Sequence, residues 1–135
     1  MLTDEMQETL IEKAAAAQKK AYVPYSRYAV GAALLTDDGD IFSGANVENA
    51  VYPLTMCAER VAVFNAVSHD KMKFQAIAVV TKNGGTPCGS CRQVLAEFGL
   101  DTIVLIANKA GTLLHSFTVG ELLPESFGED DLKET

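Results

Sequence analysis

Basic residues, cysteine and long apolar runs are scarce in this 135-residue chain, and each shortage excludes a class of protein. Eleven lysines and arginines stand against 18 acids, a net charge of −7, with no basic stripe to neutralise phosphates, so we expect no nucleic-acid partner. An odd count of three cysteines argues against a disulfide framework. No run approaches the ~18 apolar residues of a membrane helix.

The N-terminus, "MLTDEMQETLIEK", has acids where a secretory signal would carry bases, so we expect a cytoplasmic protein that is not associated with a membrane. The length and the 48 % hydrophobic content fit one globular domain spanning residues 1–135. Six acids and one base lie between Glu121 and Thr135. We interpret the end of the chain, from about residue 128, as a solvated acidic tail.

The hydrophobic pattern predicts helices that alternate with strands. The first predicted helix begins after Thr3, the second runs from Thr55 to Ser68 and the third from Cys88 to Phe98. A short fourth helix covers "TVGELL", where Thr118 and Glu121 are spaced as a capping box. The predicted strands are a hairpin around "DDG", Phe74 to Thr81, "TIVLIAN" and "TLLHSF". The second helix should be buried on more than one side, and Phe74 to Thr81 should be a central strand. This order predicts an α/β fold, a three-layer α/β/α arrangement with a central mixed five-stranded sheet.

All three cysteines lie at predicted helix starts. Cys88 and Cys91 form a C-x-x-C pair, which is typical of a redox pair, of half a metal site, or of neither. His69 lies twelve residues after Cys57, roughly 18 Å along the same helix, so it cannot complete a site there. His115 is better explained as a strand residue. Three thiolates without a fourth protein ligand are the arrangement of a catalytic zinc.

Two charged residues next to Cys57 fit that interpretation. Helix N-termini lower thiol pKa values, and the Arg60 guanidinium could hydrogen-bond to the sulfurs and offset their charge. A carboxylate beside zinc-bound water can take its proton and pass it to a leaving group, which is the role predicted for Glu59. The alternatives are a surface ion pair for Arg60 and an ordinary helix N-terminal acid for Glu59.

The pairing of "CAE" with "PCGSC" resembles the zinc-dependent nucleoside and nucleobase deaminases. From roughly Ala21 to Phe127 the chain is most similar to the short, homotetrameric cytidine deaminases. The segments that resemble those enzymes, in the same order, are "PYSRYAVGAALL", "GANVENA", "MCAERVAVFNAVS", "PCGSCRQVLAEF" and "ELLPESF".

The resemblance implies a function as well as a fold. It implies one Zn²⁺ per subunit, held by Cys57, Cys88 and Cys91, with Glu59 as the proton shuttle. The reaction would be hydrolytic deamination of cytidine, and of 2′-deoxycytidine, to the uracil nucleoside and ammonia in pyrimidine salvage. Water activated by the zinc would attack C4 of the base.

The resemblance also implies a set of substrate contacts. Asn46 and Glu48 match residues that hold the ribose hydroxyls, and Val47 and Ala58 belong to the same set. Tyr28 stands where many members have phenylalanine. Phe127 matches an aromatic residue that, in the family, covers the base from a neighbouring subunit of the homotetramer. From the residues alone, strand-end capping would explain Asn46 and Glu48, and Phe127 could enter its own core.

Rival functions stay open on sequence grounds. A blasticidin S deaminase would share the zinc chemistry and the length, although "NVEN" with Tyr52 looks more like the ribonucleoside enzymes. An RNA- or DNA-editing deaminase would need a basic groove, which is not expected in an acidic chain. A non-catalytic zinc module or a thiol redox protein would tolerate the loss of Glu59.

Overall fold

The structure is a computed structural model that describes residues 1–133. Its helices are α1 (Asp4–Gln18), α2 (Ala58–Ser68), α3 (Gly89–Glu97) and α4 (Val119–Leu122). Its strands are β1 (Gly31–Thr36), β2 (Ile41–Ala45), β3 (Phe74–Thr81), β4 (Ile103–Asn108) and β5 (Leu113–Thr118). Two short 3₁₀ turns, Tyr52–Leu54 and Glu129–Leu132, complete the described elements.

The five strands form one mixed sheet in the order β2-β1-β3-β4-β5. Strands β3 and β4 are parallel, because α3 connects them, and the other neighbouring pairs are antiparallel. The predicted hairpin is β1–β2, and its turn contains Gly39 with a φ of 93°, a conformation that favours glycine. The mixed five-stranded sheet is therefore confirmed.

A hydrophobic core lies on each face of the sheet. On one face α1 packs on β1, β3 and β4, and on the other α2 and α3 pack around Ala32, Leu34 and Val79. Successive β3 residues alternate between the two cores, so Ile77 faces the α2 side and Ala78 the α1 side. The prediction that β3 is covered on both faces is confirmed, and with it the three-layer arrangement.

The second helix differs from its prediction in two respects. It begins at Ala58 rather than Thr55, because the backbone of Met56 pairs with Val47 and so cannot join the helix. The expected burial on more than one side is also wrong within the single chain, where Phe64 is 44 % exposed. The start of α2 at Ala58 leaves Cys57 as its N-cap residue, on the incoming loop.

The C-terminal part of the chain carries the predicted capping box on α4, where Thr118 and Glu121 each accept from the other's backbone N–H. Residues of the predicted acidic tail form the exposed 3₁₀ turn Glu129–Leu132. The last two residues of the tail, Glu134 and Thr135, lie outside the described residues. Within residues 1–133, the helices are too short or too polar to cross a membrane.

Candidate metal centre and active site

The N-termini of α2 and α3 bring the three cysteines together. Cys57 is the N-cap of α2 and Cys88 the N-cap of α3, while Cys91 lies three residues later, on the same side of α3. The sulfurs all lie within 4.8 Å of one another, with 3.9 Å between Cys57 and Cys88 and 3.5 Å between Cys88 and Cys91. Thiolates that each bond a tetrahedral zinc at about 2.3 Å lie about 3.8 Å apart, so this donor set fits Zn²⁺.

The two histidines have other partners. His69 caps the C-terminus of α2, with Nδ1 2.8 Å from the Asn65 carbonyl, and His115 stacks on Phe117 in β5. The cysteine cluster also opens outward, since Cys91 is buried, Cys57 is half-buried and Cys88 is exposed. Three thiols with one open side suit a catalytic zinc, which keeps a position for water or substrate.

Hydrogen bonds from neighbouring side chains favour the thiolate form of Cys57. Its pKa is lowered to about 5, chiefly by a hydrogen bond from the Cys91 thiol and then by Arg60, whose Nη2 lies 3.3 Å from its sulfur. The pKa of Cys91 is raised, because its thiol donates to Cys57 and because it is buried. The guanidinium therefore sits where it offsets the negative charge of the sulfurs.

Glu59 is the buried acid of the site. It is the second residue of α2, directly after the cysteine loop, and only 5 % of its surface is exposed. Burial, with a smaller contribution from the Cys57 thiolate, raises its pKa to about 7. A carboxyl group that ionises near neutral pH can both accept and return a proton under working conditions.

The segment from Asn46 to Glu48 is joined to the metal loop by backbone pairing. Val47 exchanges two backbone hydrogen bonds with Met56, the residue before Cys57, at 2.9 and 3.0 Å. On the other side, Tyr22 pairs with the same segment. Side chains at Asn46 and Glu48 are thereby fixed in relation to the first zinc ligand.

The side chain of Asn46 holds the loop before β1. Its Oδ1 accepts from the Val30 N–H at 2.9 Å and its Nδ2 donates to the Tyr28 carbonyl at 2.9 Å, with 9 % of the residue exposed. One acceptor lone pair and one N–H of the amide are left for a ligand. Asn46 is therefore predicted to contact the ribose with the same side chain that holds the loop before β1.

Glu48 holds the same loop from its other end. The carboxylate accepts from the backbone N–H groups of Tyr25 and Ser26 at 3.0 and 3.1 Å and from the Ser26 hydroxyl. The Ser26 hydroxyl is the main cause of a pKa below the usual carboxyl range. Glu48 is therefore an ionised acceptor at neutral pH.

The remaining predicted substrate residues differ in exposure. Ala58, directly after Cys57, is fully buried, whereas Val47 is 48 % exposed and Phe127 is 56 % exposed, so Phe127 does not enter its own core. The Tyr28 hydroxyl donates to Asn83 Oδ1 at 2.7 Å, and Lys82 Nζ lies 5.6 Å from its ring centre. The hydroxyl that distinguishes Tyr28 from phenylalanine thus bonds to the loop that leads to Cys88.

Sequence reasoning missed three residues around the site: Ser26, Asn83 and Arg92. Each acts through a side-chain contact with a residue distant in sequence, as in the 55-residue separation between Tyr28 and Asn83. The only local signal was the position of Arg92, directly after the second cysteine of the C-x-x-C pair.

Comparison with known proteins places this geometry in a family. Residues 4–107 match the model of the cytidine and deoxycytidylate deaminase zinc-binding region. The chain belongs to this family. It is 50 % identical over 130 residues to a cytidine deaminase of Halalkalibacterium halodurans, covering 94 % of this chain and 98 % of that protein. It is 48 % identical over 128 residues to the cytidine deaminase of Sporosarcina psychrophila, covering 93 % of each.

Solved structures agree with the family assignment. The crystal structure of cytidine deaminase from Burkholderia pseudomallei superimposes with a TM-score of 0.85 at 46 % identity, over 93 % of this deaminase and 99 % of that chain. The enzyme from Mycobacterium tuberculosis gives a TM-score of 0.80 at 40 % identity, over 93 % and 98 %. The chain is a zinc-dependent deaminase with the Cys57, Cys88 and Cys91 cluster as its metal site, and a redox or purely structural role is not favoured.

Proposed function

We propose that this deaminase hydrolyses cytidine, and 2′-deoxycytidine, to the corresponding uracil nucleoside and ammonia. The observation that carries the proposal is the meeting of three cysteine sulfurs with a buried glutamate, in a chain 48–50 % identical to proteins named cytidine deaminase. A blasticidin S deaminase would share the metal chemistry, but the relatives described above all carry the cytidine name. We assign the reaction to pyrimidine salvage.

Glu59 moves the protons of the reaction. Zinc, when bound, supplies a Lewis acid that lowers the pKa of water enough to make it a nucleophile at neutral pH. The Glu59 carboxylate accepts the first proton of the water and donates it to N3 of the ring. It then accepts the second proton, from the hydroxyl on C4, and delivers it to the departing amine. One water is consumed, its oxygen bonds to C4, and the amine leaves as ammonia. The raised pKa of Glu59 allows both directions of transfer near pH 7.

Arg60 keeps this chemistry available with three thiolate ligands. Three thiolates on a divalent ion leave a net charge of about −1, which opposes the ionisation of bound water. The Arg60 guanidinium, 3.3 Å from the Cys57 sulfur, and the N-termini of α2 and α3 place positive charge on the sulfurs. Arg60 thus favours the ionised water without touching the substrate.

The substrate is a small pyrimidine nucleoside. Glu48, which is ionised, accepts from a ribose hydroxyl, and Asn46 uses its spare donor and acceptor for the same sugar. Val47 contacts the substrate through its exposed side chain, Ala58 belongs to the site through its position between Cys57 and Glu59, and the ring of Tyr28 packs against the base. The hydroxyl of Tyr28 is bonded to Asn83 and Lys82 Nζ lies over one face of the ring, so we assign the opposite ring face to this contact.

We further propose that the deaminase works as a homotetramer in which Phe127 covers the base bound by a neighbouring subunit. Support comes from large apolar side chains that lie exposed in the single chain: Tyr52 (69 %), Leu54 (64 %), Phe127 (56 %) and Phe64 (44 %). Tyr52 and Leu54 lie together on one 3₁₀ turn, and exposed apolar patches mark protein interfaces. Three free cysteines suit a reducing compartment, so we place the protein in the cytoplasm. We treat residues 1–135 as one domain, since both cores share one sheet.

The substrate assignment is tested by giving the zinc-loaded protein cytidine, 2′-deoxycytidine, blasticidin S and a cytosine-containing single strand of RNA in parallel. Ultraviolet absorbance and released ammonia are followed. We expect equal amounts of ammonia and uracil nucleoside from the two nucleosides, with kcat/KM for cytidine at least about 100-fold above that for blasticidin S, a difference of about 2.7 kcal/mol in transition-state binding. Faster turnover of blasticidin S, or turnover of the RNA alone, would contradict the assignment.

A further inference from the structure

Arg92 connects two segments of the chain, the loop before Cys88 and the end of α4. It follows Cys91 in α3, and its guanidinium makes three hydrogen bonds. Nε donates to the Pro87 carbonyl at 2.7 Å, Nη1 to the Leu122 carbonyl at 2.8 Å, and Nη2 to the Thr86 hydroxyl at 3.1 Å. Two of these acceptors belong to the loop directly before Cys88, and the third lies at the end of α4.

The loop before Cys88 needs such a support. Pro87 is buried, which holds the backbone on one side of Cys88, but Cys88 itself is exposed and Pro87 has no N–H to donate, so hydrogen bonds in this loop must come from other groups. The position of the Cys88 sulfur therefore depends on where the backbone of residues 86–88 lies. A guanidinium is planar and always charged, and its donors point in fixed directions, so two acceptors from this loop give it one position.

The other end of the connection is equally specific. The last carbonyl groups of a helix lack partners within that helix, and Arg92 satisfies one of them at Leu122. The next residue, Gln93, donates from Nε2 to the Phe127 carbonyl at 2.9 Å and holds the chain beyond α4. The N-terminal part of α3 therefore carries two zinc ligands and also fixes the segment 122–127.

We infer that Arg92 is a positioning residue for the zinc site, whose guanidinium holds the loop before Cys88 against the end of α4. It differs from Arg60, because its three described hydrogen bonds go to oxygens and none to a sulfur. Its effect is on the geometry of the Cys88 ligand rather than on the charge of the thiolates. Metal retention is measured without substrate. Unchanged zinc release would therefore leave the proposed function standing, and failure to deaminate cytidine would leave this role of Arg92 standing.

The test measures how fast the zinc-loaded protein releases its metal to a chromophoric chelator under native conditions. Hydrogen bonds to a charged group contribute about 1.5–3 kcal/mol, so Arg92→Met should release zinc about tenfold to hundredfold faster than the parent protein. Arg92→Lys keeps the charge but offers one donor centre, and Thr86→Val removes one acceptor, so each should give a smaller increase of about threefold. If Arg92→Met fails to fold, these two variants decide the question.

Two controls separate positioning from general stability. Gln93→Ala removes a donor of the same helix. This donor bonds to Phe127 and not to the loop before Cys88, so the variant should release zinc at the rate of the parent protein. Ile11→Ala leaves a cavity in the core on the opposite face of the sheet and so lowers stability away from the zinc site. The cobalt-substituted Arg92→Lys protein should also show a shifted visible absorption band, which Ile11→Ala should not. Equal release rates in Arg92→Lys, Thr86→Val and the parent, or equal acceleration by Ile11→Ala at matched folded fraction, would overturn the inference.

Discussion

Two glycines, one facing each side of the sheet, allow helices to approach it closely, and they offer a matched pair of substitutions. A Cβ atom at Gly44 of β2 would lie 2.6 Å from the Ala62 nitrogen and 2.7 Å from the Ala58 carbonyl oxygen, both in the backbone of α2. At Gly31 of β1 a Cβ atom would press closer still against the backbone of α1. Neither helix can accept an alanine without moving.

The expected consequences differ because α2 carries Glu59 and α1 carries no site residue. Ordinary contact begins near 3.4 Å, so Gly44→Ala must shift α2 by about 0.8 Å. Overpacking of this kind costs about 1–3 kcal/mol in the free energy of unfolding. A misplacement of about 1 Å at a reacting group can lower the rate about 100-fold. We therefore expect Gly44→Ala to lose between about 10-fold and 100-fold in kcat, and Gly31→Ala to lose stability but stay within about 3-fold in kcat.

The assay is cytidine turnover, divided by the concentration of folded, zinc-loaded protein in each variant. Folded fraction comes from thermal unfolding and zinc content from elemental analysis, so neither loss is counted as a loss of catalysis. An equal loss of kcat per loaded molecule in Gly31→Ala and Gly44→Ala would contradict a specific effect of α2 on the site. Full kcat in Gly44→Ala would contradict it as well.

Three further perturbations follow from contacts around the site and the hairpin. Tyr28→Phe and Asn83→Ala should each lower the free energy of unfolding by about 1 kcal/mol, and the double variant by no more than the larger single loss, as measured by urea unfolding. Removal of zinc with a chelator should lower the melting temperature in calorimetry, and added Zn²⁺ should restore it, because metal binding adds to the free energy of folding. The Lys71 ammonium and the Thr36 hydroxyl hold the pKa of Asp38 below its usual 3.8, so the stability it provides at neutral pH should be lost as the pH falls through the lowered value. Asp38→Asn should flatten this part of a curve of unfolding free energy against pH.

Local patterns were sufficient for the elements and for the metal ligands. The turn "DDG" predicted the β1–β2 hairpin because a glycine at a positive φ is a local requirement, met at Gly39. The continuous apolar run of β3 predicted a strand covered on both faces for the same kind of reason. The three cysteines could be grouped because each stands at a helix start, which is also a local signal.

Contacts between segments distant in sequence could not be predicted in this way. The sequence pattern predicts the start of α2 three residues too early, because nothing local shows that Met56 pairs with Val47. The loop-holding roles of Asn46 and Glu48 depend on which residues the fold brings to their side chains. The same holds for Arg92, whose partner Leu122 lies 30 residues away.

The central claim is that Glu59 carries the protons at a zinc held by the three cysteines. Glu59→Gln keeps the size of the side chain but removes its ability to accept a proton, and the measurement is cytidine turnover at pH 7 together with zinc content. We predict that Glu59→Gln keeps one zinc per chain and loses at least about 10³-fold in kcat, within the range expected for loss of a general acid–base group. A zinc-loaded Glu59→Gln protein that deaminates cytidine at close to the parent rate would contradict the account.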